Sequence, residues 1–343
     1  MTRYWRPIPM TDPARAAGAA AGALPLAGGW CWFDRVERLS RGAPPQVVPL
    51  GDVPDEVLIR LSAPRPALAG LTFDRPRLMG ILNVTPDSFS DGGLFDAPVA
   101  ALRHAVAMRA AGAEIIDIGG ESTRPGAATV APEEEVARTA PIIAALCGQT
   151  DALLSIDTRK AVVAQAAIAA GAGMVNDVSA LTHDPALAEV VAASGLPVCL
   201  MHAQGAPATM QDDPRYGDVL LDVYDHLAAR IAAAEAAGIA RDRIVIDPGI
   251  GFGKTLQHNV TLLRGLSLYH GLGSPILLGA SRKRFIGAIS GAEAARDRMP
   301  GSVAVALHGV AQGVQILRVH DTGETRQALS LQQALIGTVT DDA

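Results

Sequence analysis

The chain has 343 residues, 49% of them hydrophobic and 19% charged, with 35 glycines, so it carries material for a buried core and is neither disordered nor fibrous. A net charge of −6 without a basic stripe disfavours nucleic acid as a partner. Three cysteines (Cys31, Cys147, Cys199) with no C-x-x-C pair argue against a disulfide framework and a zinc site, and point to a reducing, cytoplasmic setting.

The length fits two domains or one barrel with an appendage. Residues 1–75 hold all three tryptophans and no lysine, with prolines at Pro44, Pro45, Pro49, Pro54, Pro64 and Pro66. Such spacing forbids long helices, so this stretch reads as an irregular N-terminal extension of unassigned role. Within it Trp30-Cys31-Trp32-Phe33 reads as a hydrophobic anchor, on its own unit, on the main body or on another subunit. Ala16 to Phe33 is uncharged, but Ala and Gly dominate it and Pro25 interrupts it, so no membrane span or signal peptide is expected.

From residue 76 to residue 343 the pattern becomes rhythmic. Short apolar runs occur at Leu78–Leu82, Glu114–Ile118, Leu153–Ile156, Met174–Val178, Pro197–Met201, Ile244–Ile246, Pro275–Leu278 and Gln315–Val319. Helical spacings lie between them, as in Leu220, Tyr224, Leu227 and Ile231. Eight alternations predict an α/β protein of the (β/α)8 TIM-barrel class. A doubly wound sheet would place a Gly-x-Gly-x-x-Gly turn after the first strand, where Asn83-Val84-Thr85-Pro86 stands.

Polar residues follow each run: Asn83, Gly119 to Arg124, Asp157, Asn176-Asp177, His202, Asp247, Ser281-Arg282-Lys283 and Arg318-x-His320. In a barrel these ends share one rim, where sites are built. Asp157, Asn176 and Asp247 suit a flat heterocycle with N–H donors and a carbonyl. Basic residues after the seventh and eighth strands suit phosphate, and a diphosphate there would bring Mg²⁺, for which Asn83 offers an oxygen. Gly253-Lys254-Thr255 ends like a phosphate loop, but Pro248 stands where that loop needs glycine. The glycines instead predict a tight turn setting Asp247, Phe252 and Lys254 around a ligand. Only three of the 29 basic residues are lysine: Lys254 and Lys283 fall beside this expected ligand, while Lys160 reads as surface. The loops after the first two strands, Asn83 to Gly93 and Gly119 to Ala128, have the composition of segments that close over substrate, and Phe89 is an odd residue there unless it covers something.

These segments resemble dihydropteroate synthases. The likeness rests on Leu78 to Gly93, Gly119-Gly120-Glu121-Ser122-Thr123-Arg124-Pro125-Gly126, Ser155-Ile156-Asp157-Thr158, Asn176-Asp177-Val178-Ser179, Met201-His202, Asp247 to Lys254, Ser281-Arg282-Lys283 and Arg318-Val319-His320-Asp321, in order over residues ~77 to ~338. It implies a barrel that condenses 6-hydroxymethyl-7,8-dihydropterin diphosphate with 4-aminobenzoate to give 7,8-dihydropteroate and diphosphate, on the route to folate. The resemblance places Asp157, Asn176, Met201, Asp247, Lys283 and Arg318 on the pterin. It places Asn83, Thr123, Arg318 and His320 on the diphosphate, with Asn83 on the Mg²⁺. Phe89, Thr123, Pro125, Phe252, Lys283 and Arg284 line the aminobenzoate pocket, with Asp91 and Arg124 completing it, and the groups closest to the chemistry are Lys283, Arg318, His320, Asp91 and Arg124. It implies a homodimer, and sulfonamides as aminobenzoate mimics. Some members carry Ser where Arg284 stands, which changes how the aminobenzoate carboxylate is held. A methyltetrahydrofolate-type methyltransferase barrel would share the acidic pterin ligands without needing Lys283, Arg318 and His320 for diphosphate, and a non-catalytic paralogue would bind pterin alone.

Overall fold

A computed structural model describes residues 2–12, 22–84, 97–122, 129–205 and 209–337. The extension is more regular than its prolines suggest. β1 (Tyr4–Pro7), β4 (Arg35–Ser40) and β5 (Ala43–Pro49) form an antiparallel sheet in the order β1-β4-β5, and β2 (Leu24–Leu26) pairs with β3 (Cys31–Phe33). Pro44, Pro45 and Pro49 all sit on the edge strand β5, and Pro44-Pro45 fall where its register with β4 shifts between Arg38 and Ser40, the places in a sheet that tolerate proline. The eight-residue helix α1 (Asp55–Ser62) follows Pro54.

All eight runs form parallel strands: β6 (Arg77–Asn83), β7 (Ile115–Gly119), β8 (Leu153–Asp157), β9 (Met174–Asp177), β10 (Val198–Met201), β11 (Ile244–Asp247), β12 (Leu277–Leu278) and β13 (Ile316–Val319). Their order is β11-β10-β9-β8-β7-β6-β13-β12, and a bridge between Ile246 and Ile276 brings β11 back to β12. This is a (β/α)8 barrel. The crossover helices are α2 (Ala97–Ala110), α3 (Pro132–Leu146), α4 (Ala161–Ala169), α5 (Ala186–Ser194), α6 (Val219–Ala236) and α7 (Leu256–Arg264), then α8 (Arg284–Ser290) with α9 (Met299–Ala311), and finally α10 (Thr322–Leu335). The short span between Asp157 and Met174 is met by the nine-residue α4. Asp218 caps α6 by accepting from the Leu220 and Leu221 amides, and Thr255 with His258 forms a capping box on α7.

Alternation along the strands sorts side chains to two faces. Outward residues such as Leu78, Ile116, Ile156, Val175, Leu200, Ile246, Leu278 and Leu317 pack with the helices in one large core. Inside, every strand gives one residue to an apolar floor: Met79, Ile115, Leu153, Met174, Cys199, Val245, Leu277 and Ile316. Leu68 and Phe73 from the end of the extension pack into that floor, and Leu68 and Leu71 pair their backbones there at 2.9 Å.

The rest of the extension grips the barrel wall beside β12. The Trp30 indole N–H donates to Val310 O at 2.8 Å, Ser267 Oγ donates to Pro7 O at 2.8 Å, and an Arg65 guanidinium nitrogen donates to His270 O at 3.0 Å. Leu26, Trp30, Phe33, Val36 and Leu61 belong to the same outer core as the barrel helices. The Trp30–Phe33 anchor therefore packs on the main body, and residue 75 marks no break in packing.

Candidate functional site

Two residues beyond each floor position, the same inward parity gives Ile81, Asp117, Ser155, Asn176, Met201, Asp247, Gly279 and Arg318. A polar layer thus lies directly on an apolar floor. Asp117 is its hub. Its Oδ1 accepts from Ser155 Oγ at 2.7 Å, and its Oδ2 accepts from Asn176 Nδ2 at 2.9 Å and from Arg318 Nε at 2.6 Å. Arg318 reaches one layer up as well, donating to Asp157 Oδ2 at 2.7 Å.

Burial disfavours the charge on Arg318, but the carboxylates of Asp117 and Asp157 outweigh it and hold the guanidinium above its ordinary pKa. Burial pushes the Asp157 carboxyl up, with Arg318 pulling the other way. Asp247 is likewise pushed up by burial and drawn down by Lys283, while its Oδ1 accepts from the Gly249 amide at 2.7 Å. Gly279 leaves space between Asp247 and Arg318, where a Cβ would stand 3.5 Å from Asp247 Oδ2. A ring slotted there would meet carboxylate acceptors on one edge and a guanidinium face beside it.

Lys283 caps the start of α8 and turns back over this layer. Its ammonium donates to Ile250 O and sits 4.5 Å from the centre of the Phe252 ring. Burial lowers its pKa to about 8, with Asp247 opposing the shift. His320 is held by Ser281, whose Oγ lies 3.1 Å from Nδ1 and 3.2 Å from the backbone nitrogen. Asn83 ends β6 in register with Gly119, itself in register with Asp157, so it stands at the mouth above the layer. Arg284 is exposed at the first turn of α8. Phe89, Asp91, Thr123, Arg124 and Pro125 lie outside the described residues.

Residues 79–320 match the family model of pterin binding enzymes. The chain is 46% identical over 266 residues to the dihydropteroate synthase of Escherichia coli K12, covering 78% of this chain and 94% of that one. It is 48% identical over 267 residues to that of Neisseria meningitidis serogroup B, covering 76% and 93%. The chain belongs to the dihydropteroate synthase family. Among solved structures, Xanthomonas albilineans dihydropteroate synthase with 4-aminobenzoic acid superposes with a TM-score of 0.75 at 50% identity, covering 79% of this chain and 98% of that one. The Yersinia pestis dihydropteroate synthase with a sulfonamide drug complex gives 0.75 at 47% identity, covering 79% and 98%.

Against the family pattern, sequence reading missed Asp117 and Ser155. Both sit inside apolar strands rather than after them, and the signal was parity: each lies two residues before a rim position, Gly119 and Asp157. Asp177, next to Asn176, has the opposite parity and serves the backbone, accepting from the amides of Ser179 and Leu181 at 2.7 and 2.6 Å.

Two lysines depart from their expected places. Lys160 is no surface residue: it is 7% exposed and donates to Glu121, to Glu135 Oε2 at 2.6 Å and to Val130 O at 2.7 Å. Glu121 also receives Arg159 and the Val130 amide, so one carboxylate ties the chain on either side of residues 123–128 to the residues that follow β8. Lys254 makes its hydrogen bonds to His202 and the Phe252 carbonyl rather than into the polar layer, though its charge still acts on Asp247.

Proposed function

We propose that this rim joins a 6-hydroxymethyl-7,8-dihydropterin diphosphate to 4-aminobenzoate, releasing diphosphate and 7,8-dihydropteroate for folate synthesis. The observation that carries the reading is the Asp117–Arg318–Asp157 chain, running from the layer that holds Asn176 and Asp247 up to the layer above it. Asp157, Asn176 and Asp247 take the polar edges of the ring, Arg318 stacks on its face beside Met201, and Lys283 reaches the O4/N5 side. Lys283, Arg318 and His320, at the ends of the last two strands, set the diphosphate above Asn83, with Thr123 from the second loop. That set separates this reading from a methyltransferase barrel, which has no diphosphate to hold.

The residues suit a shared Mg²⁺. Among the described residues no cluster of three or more His, Cys, Asp or Glu could cage an ion, and Asn83 stands at the mouth with a single amide oxygen. Such a donor set fits a hard ion shared between one protein oxygen and substrate phosphate. The chemistry that the ion supplies when bound is charge neutralisation on the leaving diphosphate.

The step is a substitution in which the exocyclic C–O bond breaks first, its electron pair leaving with diphosphate. The ring cation left behind is stabilised by the surrounding carboxylates Asp117, Asp157 and Asp247. The aromatic amine lone pair then forms the C–N bond, and the amine proton leaves to solvent. Phe252 and Lys283, with Arg284 for the carboxylate and Phe89, Asp91, Arg124 and Pro125 from the loops, hold 4-aminobenzoate; sulfonamides compete for the same place.

Family likeness supports a homodimer in the cytoplasm, and sedimentation analysis checks the oligomer. No helix among the described residues is long and apolar enough to cross a membrane. The test of function is direct: purified protein with the pterin diphosphate, Mg²⁺ and 4-aminobenzoate is expected to release diphosphate and form dihydropteroate together. Release of neither under any condition overturns the reading.

A further inference from the structure

The turn from Asp247 to Lys254 is pressed backbone to backbone against residues 202–204. A Cβ on Gly249 would lie 1.8 Å from His202 O and one on Gly253 would lie 2.3 Å from Gln204 O, and both glycines have positive φ (68° and 62°). Polar clamps then fix the turn at Gly251 and Gly253. Asn259 Oδ1 accepts from the Gly251 amide at 2.7 Å, Tyr216 OH donates to Gly253 O at 2.7 Å, and Gln211 donates to Gly251 O.

Lys254 closes this set. Its ammonium, 3% exposed, lies 2.8 Å from His202 Nδ1, 2.9 Å from Phe252 O and 3.4 Å from His202 O. Burial pushes its pKa well below the ordinary lysine value, with Asp247 opposing, and these three contacts occupy the nitrogen, leaving nothing for a substrate. His202 is a neutral imidazole that shares a hydrogen bond with Lys254 through Nδ1, its pKa lowered to about 2 by burial and by Lys254, and packs edge-on to His226 at 4.7 Å. A planar guanidinium could not direct donors to this pyramidal set, so a lysine is specifically required.

We infer that Lys254 is a positioning residue: by fixing the Phe252 peptide it sets the Phe252 ring and the Ile250 carbonyl, and these two place the Lys283 ammonium at the aminobenzoate side of the site. The inference rests on the proposed reading of Phe252 and Lys283 as aminobenzoate-pocket residues. Lys254 has no hydrogen bond to Asp117, Asp157, Asn176, Asp247 or Arg318, so it bears on the pterin half of the site only through the charge it presents to Asp247 and through Lys283.

Lys254→Met and Lys254→Arg test this together. Each is expected to raise KM for 4-aminobenzoate about tenfold while the pterin Kd changes clearly less, because the ring keeps Asp157, Asn176, Asp247 and Arg318. A second readout needs no activity. With three lysines in the chain, ¹³C-labelled lysine gives few signals, and Lys283 can be titrated directly. The groups acting on it are Asp247 and Asp157, which raise its pKa, and Arg318, which lowers it; Lys254 is a further like charge coupled to it, removed in Lys254→Met and kept in Lys254→Arg. Its midpoint near 8 is expected to move toward the free-lysine value in both variants as the ammonium loosens into solvent. Equal changes in both substrates, or an Arg variant that behaves as wild type, would overturn the inference, since the latter would show that charge alone suffices. Should neither variant fold, Tyr216→Phe frees the same turn at Gly253 without removing a charge; it is expected to weaken aminobenzoate selectively, and an unchanged KM overturns the inference. Wild-type protein that makes no dihydropteroate while Lys283 still shifts would sink the proposed function and leave the positioning intact.

Discussion

Asp117 Oδ2 lies 2.6 Å from Arg318 Nε, and the same oxygen takes the Asn176 amide at 2.9 Å. One fully buried carboxylate on β7 therefore orients groups from β9 and β13, while its other oxygen takes Ser155 from β8. Replacing it by Asn keeps the shape but leaves Arg318 with Asp157 alone. Asp117→Asn is expected to lower kcat/KM about 100-fold and to destabilise the fold by about 3 kcal/mol, as for loss of one partner of a buried charge pair. Thermal melts and steady-state kinetics check both; values near wild type would remove Asp117 from the hub.

Asp247 tests the ring site. Asp247→Ala strips an acceptor from the ring edge and also from the Gly249 amide. Pterin affinity, followed by the fluorescence of the pterin itself, is expected to fall at least about 100-fold because a ring donor pair is left unpaired. Gly279→Val is the steric counterpart: it fills the gap between Asp247 and Arg318 and should abolish binding in a folded protein. Normal affinity in both variants would place the ring elsewhere.

The pH profile follows from Lys283. Its folded pKa of about 8 lies below the ordinary lysine value of 10.5, so the cation is lost as pH rises through about 8. The alkaline limb of kcat/KM should fall near there. Between pH 8 and 10.5 the unfolded chain binds more protons at this residue than the folded one, so its contribution to stability rises with pH and the activity loss is not unfolding at Lys283. A limb above pH 10 would dissociate Lys283 from the chemistry.

Phe73 probes the floor. Phe73→Ala opens a cavity under the polar layer and is expected to cost about 3–5 kcal/mol of stability, with a lower Tm. The activity per folded molecule should change little, because the floor lies one layer below Asp117. A variant as stable as wild type would mean that the end of the extension is not part of the barrel's packing.

The barrel was legible because its strands are short apolar runs with polar residues at their ends, and Asp157, Asn176, Asp247 and Arg318 all fall where those ends predict. Asp117 was not, since a lone carboxylate between isoleucines only acquires meaning once strand parity is known to point it inward. Lys160 and Lys254 were misread for a different reason. Their partners, Glu121 and Glu135 for one and His202 for the other, are 25 to 52 positions away in the chain and meet them only through the closed barrel. Among the described residues the extension has one short α-helix, Asp55–Ser62, but proline spacing says nothing of Leu68 and Phe73 reaching the barrel floor.

The most direct measurement is a crystal structure with 6-hydroxymethylpterin bound. The account expects the ring on the polar layer, its nitrogen edge within hydrogen-bonding distance of Asp157, Asn176 and Asp247 and its face against Arg318. Density for the ring elsewhere on the rim, for example in the cleft lined by Thr129, Lys160 and Asp184, would contradict it.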